Sequence, residues 1–512
     1  MPFGMAEASA SDGEIDHEPP DGATAGQAQH RRARATIVLL AALLVATAGM
    51  YASIVPVTSA ITPDESSHIA YGYSLLDADL PTVYDAQSGG PYTYPTHRTI
   101  FTANHPPLFY VMTGPAIAGL NVVTDPLSAV RLTRWLSIAF AAVAIVATAG
   151  VFRECLPNQP LTWVLGTAFV ALVPELGLVA SHLYNDSLAL ALGTAALMFG
   201  LRVHRRGPDR RSIVLLSLTS TAAALTRASA LPIALLAVAI AAVGVLRAAE
   251  RGRRIRDLVR LFATTGLPLA LIAGPFYLRN QWLYGDPTAS EALFELLGRE
   301  SRTGDWLLDF ENWRLVFAAT LTTVRGDSYM TSTVTLFVRD AVLPITVLIA
   351  GAASYVAFRL ATKKMPPGRR RRYLEISLLA LACSLITVFG FARHVLGGGL
   401  PHARYLFSLY WVVGLTLALT LRALGRWITV ALVAMLVVIA NVHAFVRLDR
   451  IVSRAWAEPG DRNVIDRWQT AISSLGYLST MLFVACSAGL VLASFLVVRN
   501  VHRMTSPNQL AA

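Results

Sequence analysis

Eleven stretches of this chain are apolar for about 17–25 residues each, long enough to cross a bilayer as helices. They fall near 36–56, 132–152, 161–180, 187–203, 229–247, 261–278, 341–360, 373–392, 404–424, 427–446 and 474–498, and a shorter run at 212–226 makes a twelfth. In hydrocarbon a helix satisfies every backbone N–H and C=O within its own segment, so runs of this length predict transmembrane helices. Composition agrees: 54% of the 512 residues are hydrophobic and only 15% are charged, well below the roughly 25% charged of soluble domains. The expected fold class is an all-α polytopic membrane protein of about twelve spans.

The net charge of +11 does not point to nucleic acid, because the basic residues sit in short clusters between apolar runs. That is the pattern of the positive-inside bias. The three cysteines, Cys155, Cys383 and Cys486, lie in or beside apolar runs without metal-ligand spacing, and read as small apolar packers.

Charge then orients the spans. Arg31, Arg32 and Arg34 precede the first run, and the segments 202–211, 247–260 and 363–372 are strongly basic; all are expected in the cytoplasm. Between them, 57–106 carries five acids and one Arg, and 279–340 carries nine acids against six Arg. Those loops are expected outside. The apolar run Pro107 to Leu120, about 14 residues, is short for a span, and a crossing there would invert every later basic loop. It reads as an interfacial or re-entrant segment. The expected organisation is therefore a disordered cytoplasmic tail at 1–34, a membrane domain at 35–500 with outer loops at 57–121 and 279–340, and a second cytoplasmic tail at 501–512. No sequence repeat of 20–50 residues is evident, which gives inverted-repeat architecture no support.

Polar residues that are hard to explain gather on the outer side. Asp64, Glu65 and His68 open the first outer loop in "PDESSHIAYGYSLL", and His105 closes it in "HPPLFY". "AVRLTRW" places Arg131 and Arg134 at the start of the next span, "YNDSLAL" supplies Asn185 and Asp186, "TRAS" Arg227, "YLRNQWLYGDP" Arg279, and "HARYLF" Arg404. Charges at membrane depth are costly unless paired or functional. Each has a plainer reading too: Asp64 as a helix cap, "HPPL" as a turn, the arginines as interfacial anchors. Taken together they suggest a polar cavity at the outer leaflet.

In this order and spacing the stretches resemble the GT-C superfamily of membrane glycosyltransferases. They are most similar to bacterial relatives of the protein mannosyltransferases and of the aminoarabinose transferase that modifies lipid A. "PDESSHIAYGYSLLDADLP" resembles that superfamily's acidic first-loop motif, "HPPLFY" its His/Lys-Pro-Pro-Leu-aromatic motif, and "AVRLTRWLSIAFA" its Arg-Leu helix start. The second-loop turn departs from the pattern, reading Asn-Asp where many relatives have Arg-Pro-Asp. The resemblance implies an inverting transfer of a sugar from a polyprenyl-phosphate donor to a hydroxyl of a cell-envelope acceptor, at the outer face of the plasma membrane.

On that reading Asp64 takes the acceptor's proton and Glu65 orients the acceptor or pairs with an arginine. Arg131 or Arg134, with Arg404 and His105, binds the donor phosphate, while His68, Asn185, Asp186 and Arg279 contact sugar or acceptor. Arginine suits the phosphate because its fork makes bidentate, charge-assisted bonds. No metal-ligand cluster is legible; some relatives use a divalent cation and others none. No nucleotide cradle is legible either, so the donor must arrive within the membrane. Two other classes share these features: a transporter or lipid-carrier flippase, for which Pro174 and Glu175 inside a span speak, and a non-catalytic scaffold of envelope assembly.

Overall fold

The computed structural model describes residues 21–57, 64–87, 99–248, 252–322, 367–423, 425–456 and 463–505. Within them the chain is helical, and a single isolated bridge, Ala86 to Thr99, stands in place of any sheet. In chain order the helices are α1 Asp21–Ile54, α2 Glu65–Leu76, α3 Leu108–Asn121, α4 Pro126–Cys155, α5 Pro160–Ala171, α6 Pro174–Ala180, α7 Asp186–Arg206, α8 Arg210–Ala224 and α9 Leu231–Ala248. They continue as α10 Arg254–Pro268, α11 Gly274–Tyr284, α12 Ser290–Leu296, α13 Asp305–Leu308, α14 Phe310–Thr322, α15 Pro367–Leu396, α16 Tyr410–Ala423, α17 Arg426–Ala455, α18 Val464–Ser474 and α19 Gly476–Met504.

Among the described residues nine helices are long and apolar enough to cross a membrane, or ten if the bent pair α5–α6 counts as one span. The chain is a multi-pass membrane protein. Of the twelve expected spans, the run at 341–360 lies outside the described residues, and 212–226 forms the 15-residue α8, shorter than the rest. The segment read as interfacial is α3, only 14 residues long and not among the spans.

Two boundaries differ from the sequence reading. α1 begins at Asp21, inside the stretch expected to be a disordered tail. The Ala, Gln and Arg residues there are good helix formers, and the membrane helix they extend supplies the nucleus that a short peptide lacks. The extension packs: Ala33 is fully buried, and the His30 ring lies 5.2 Å from that of Trp163. The run read as one span at 161–180 instead breaks between α5 and α6 with a 62° bend. Pro174 opens α6. It has no N–H to donate and holds Val173 extended, which ends the first half.

α1 packs against α19, α4 and α5, while α7 packs against α4, α8 and α9. Large apolar side chains point outward elsewhere, Trp282 at 92% exposure, Phe389 and Phe495 among them. Exposed apolar faces of that size suit lipid rather than water.

The stretch between α1 and α4 is tied down by contacts that a polar linker would lack. α2 and α3 cross with Gly72 against Gly114, so closely that a Cβ on Gly114 would strike the Gly72 carbonyl. The Tyr71 hydroxyl donates to the His105 carbonyl at 3.0 Å, and the amide of Asn121 donates to the Tyr73 hydroxyl at 2.7 Å. Pro106 and Pro107 carry no N–H, and the first one available, that of Leu108, reaches the Leu225 carbonyl at 3.0 Å.

At the other end of the bundle the basic turns converge. Buried Glu154 takes Arg206 at 2.8 Å, Arg205 at 2.9 Å, Arg202 at 3.2 Å and Arg153 at 3.8 Å. Glu375 takes Arg247 at 2.8 Å, Arg371 at 3.1 Å and His204 at 3.5 Å. α7 runs from Asp186 to Arg206; its 21 residues put these two ends about 30 Å apart.

Candidate active site

Asp64 sits at the N-cap of α2, yet its carboxylate makes no cap hydrogen bond. It turns instead to Arg404, whose Nη2 donates to Oδ2 at 3.0 Å. Arg404 stands on the 3₁₀ turn Ala403–Leu409 that leads into α16. Its Nη1 lies 3.9 Å from Oδ2 of Asp186, the first residue of α7, and the other Asp186 oxygen is 2.6 Å from Nη1 of Arg227. Arg227 is held extended between α8 and the following 3₁₀ turn, and also donates to Asn185 Oδ1 at 2.9 Å. Asn185 in turn donates to the Thr226 carbonyl at 3.2 Å. Four charges thus alternate in sign along one line: Asp64, Arg404, Asp186, Arg227. Two tyrosines flank it: Arg404 lies over Tyr184 and Tyr405 at 5.3 and 5.6 Å, and Arg227 over Tyr405 at 5.2 Å.

A cleft opens from this line between α7, α9 and α16. Asp186, Arg227, Arg404 and Tyr405 form its charged end, while Leu197, Ile233, Phe407 and Trp411 line the rest together with Thr194, Ser229 and Ser408. Arg404 is not saturated: Nε is buried without a hydrogen-bond partner among the described residues, and Nη1 is too far from Asp186 for a hydrogen bond. A guanidinium with open donors at the head of a partly apolar cleft can receive an anion that carries an apolar tail.

Glu65 and Arg134 are committed to each other. Arg134 is fully buried; Nε donates to Glu65 Oε1 at 2.8 Å and Nη2 to Oε2 at 2.6 Å. Its remaining N–H groups reach the carbonyls of Ala52 at 3.1 Å, Val55 at 2.7 Å and Pro56 at 3.2 Å. All five donors of the guanidinium are therefore used within the protein, and Arg134 has none left for the donor phosphate expected of it. The pair instead pins the end of α1 to the start of α2. The Leu183 N–H also donates to Glu65 Oε1 at 3.1 Å. Burial alone would raise the Glu65 carboxyl, but Arg134 and these hydrogen bonds hold it below the usual carboxylate range.

Arg131, three residues earlier, faces a separate small hollow shared with Ser53, Ser128, Trp135 and Ser479. Arg279 also lies outside the cavity lining; it donates to the carbonyls of Leu80 at 2.8 Å and Pro81 at 3.1 Å and so braces the segment that follows α2. His68 stands beside the charge line, its ring 5.3 Å from Tyr184 and 6.4 Å from His105. Burial pushes its pKa down to about 4, against the pull of Asp64 and Asp186; burial likewise holds His105 well below the ordinary histidine value. Both imidazoles are neutral near pH 7.

Arg227, Tyr184 and Tyr405 were not singled out as ligands from sequence. Arg227 did leave a signal, a lone charge in "LTRAS" between two apolar runs. Among the described residues no group of three or more His, Cys, Asp or Glu is arranged to hold a metal ion. Asp64 and Asp186 are each engaged by an arginine.

No family model matches the chain, and no curated protein matches it. Solved structures do. ArnT from Cupriavidus metallidurans bound to undecaprenyl phosphate is similar at a TM-score of 0.43 and 14% identity, over 91% of this chain and 75% of that one. The oligosaccharyltransferase of Archaeoglobus fulgidus in the apo form is similar at a TM-score of 0.39 and 15% identity, over 92% of this chain. This chain spans only 56% of the oligosaccharyltransferase's length. The archaeal enzyme AglB, in complex with an inhibitory peptide and a dolichol phosphate, is similar at a TM-score of 0.38 and 13% identity, over 92% of this chain and 58% of that one.

Proposed function

We propose that this protein is an inverting glycosyltransferase that moves a sugar from a polyprenyl-phosphate donor to a hydroxyl of an envelope acceptor at the outer face of the plasma membrane. The observation that carries this reading is the Asp64–Arg404–Asp186–Arg227 line at the head of a cleft between membrane helices, walled in part by Leu197, Ile233, Phe407 and Trp411. The donor's phosphate sits on Arg404 and Arg227, and its prenyl chain follows the walls of α7, α9 and α16. The sidedness rests on α7: its Asp186 end is the site, and its Arg205–Arg206 end joins the converging basic turns that the positive-inside bias assigns to the cytoplasm.

In the transfer, Asp64 accepts the proton of the acceptor hydroxyl as its oxygen bonds the anomeric carbon. The bond from that carbon to the phosphate oxygen breaks, and the polyprenyl phosphate leaves with the electron pair, its charge met by the two guanidiniums. Proton transfer to a positioned base contributes about 10²–10⁴-fold, and fixed cations at the developing charge stabilise it without reorganising. Arriving phosphate competes with Asp64 for Arg404, so donor binding frees the carboxylate to act as base.

The phosphate assignment is tested by binding undecaprenyl phosphate to the protein in nanodiscs. Arg404→Ala or Arg227→Ala should weaken it roughly 10–100-fold, the effect of losing a charge-assisted hydrogen bond, and Arg131→Ala should leave it unchanged. The opposite pattern would move the phosphate to the Arg131 hollow. The broken helix α5–α6 also suits a carrier; movement of the lipid across the membrane without covalent transfer would favour that reading.

A further inference from the structure

The ring of His68 is held by a buried phenol that the transfer reading leaves unassigned. The Tyr110 hydroxyl lies 3.0 Å from Nδ1 of His68, and Tyr110 is fully buried. A buried donor left unmade costs about 1–3 kcal/mol, so the phenolic proton settles where it is used. Nδ1 is the hydrogen-bond partner that the geometry gives this hydroxyl among the described residues, and the phenol donates to it. Were Nδ1 protonated instead, it would donate to the phenol and leave the phenolic proton unused. A neutral imidazole carries one proton on its two nitrogens.

We infer that His68 is locked as the tautomer with its proton on Nε2, and that this N–H is a neutral hydrogen-bond donor to an oxygen of the bound substrate, phosphoryl or hydroxyl. Nδ1 is taken by Tyr110, and Nε2 has no hydrogen-bond partner among the described residues. Asp64, Asp186, Arg404 and Arg227 are all near enough to act on the ring electrostatically. The Tyr71 and Tyr110 rings stack at 3.8 Å, which holds the Tyr110 hydroxyl in place. In this role His68 binds while Asp64 takes the proton, so the inference rests on the transfer reading and adds a recognition element to it.

The experiment compares His68→Gln, His68→Asn, His68→Ala and Tyr110→Phe by transfer from the labelled undecaprenyl-phosphate sugar that the wild type uses. Glutamine places its amide N–H₂ near the position of Nε2, and asparagine places its own near Nδ1. The expected order is Gln within about fivefold of wild type, Tyr110→Phe down about tenfold, and Asn and Ala down about 100-fold, the range for one hydrogen bond to a substrate group. Binding of undecaprenyl phosphate alone names the oxygen: weakened in His68→Ala, it is phosphoryl; unchanged while transfer falls, it is a hydroxyl. Asn matching or exceeding Gln, or Ala equal to wild type, would overturn the inference. Where a variant fails to fold, Tyr110→Phe decides alone, and wild-type activity in it overturns the lock. Should Asp64→Asn transfer normally, the glycosyl-transfer reading itself falls; should it be inactive while His68→Ala is normal, only the role of His68 falls.

Discussion

Two carboxylates adjacent in sequence have opposite surroundings. Glu65 is buried against a saturated Arg134, while Asp64, 22% exposed, faces an arginine with donors to spare. A pair of that kind separates framework from chemistry, because a fully hydrogen-bonded ion pair resists change and a partly open one can exchange partners. The buried groups also carry a pH signature. The folded pKa of His68, about 4, lies below its unfolded value near 6.5. Between those values the unfolded chain binds the extra proton, so stability falls as pH drops through that window. Glu65 acts lower, its stabilisation being lost only as pH falls below the usual carboxylate range. Thermal melts of the detergent-solubilised protein should therefore lose stability between about pH 6.5 and 4, and His68→Gln should flatten the slope. A wild-type midpoint constant across that range would contradict the buried neutral imidazole.

Among elements, α2 holds Asp64 and His68 in place because it crosses α3 at backbone contact. Gly114→Ala should force the two helices apart, at about 1–3 kcal/mol for overpacking, lowering the melting midpoint and transfer together; an unchanged protein would mean that the crossing is slack. Elements were also the scale at which the sequence was most legible. Runs of about 20 apolar residues declare membrane helices through length alone, and the short run after "HPP" declared itself as something less. The break at Pro174 was signalled by a proline and a carboxylate inside an expected span, while the extension of α1 to Asp21 was not visible, since it depends on neighbours such as Trp163 that the run does not name. Pairings were harder still. "RLTR" offers two equivalent arginines, and only the fold, which brings Arg134 to Glu65 across 69 positions, distinguishes the framework residue from its neighbour. Arg227 reaches Asp186 from farther along the chain, beyond α7 and α8, and for the same reason escaped notice as a ligand.

For the whole molecule, the arginines gathered on Glu154 and Glu375 at one end of α7 and the open charge line at the other define two faces. The orientation predicts which reagent reaches which face. Cys155, Cys383 and Cys486 are all buried, so single added cysteines report cleanly. A cysteine replacing Val122, 84% exposed between α3 and α4, should react with an impermeant maleimide added to intact cells. One replacing Arg210, at the start of α8, should react only after the membrane is opened. The reverse pattern would place the site in the cytoplasm and remove the need for a membrane-borne donor.

The central claim is that Asp64 is a base whose resting partner is the same arginine that holds the donor's phosphate. Asp64→Asn separates those two roles in one protein: labelled transfer and undecaprenyl-phosphate affinity are measured side by side in nanodiscs. Transfer should fall by about 10²–10⁴-fold, while the phosphate binds as tightly as in wild type or more so, because Arg404 has lost its competitor. Near-normal transfer at normal protein levels, or phosphate binding lost along with transfer, would contradict it.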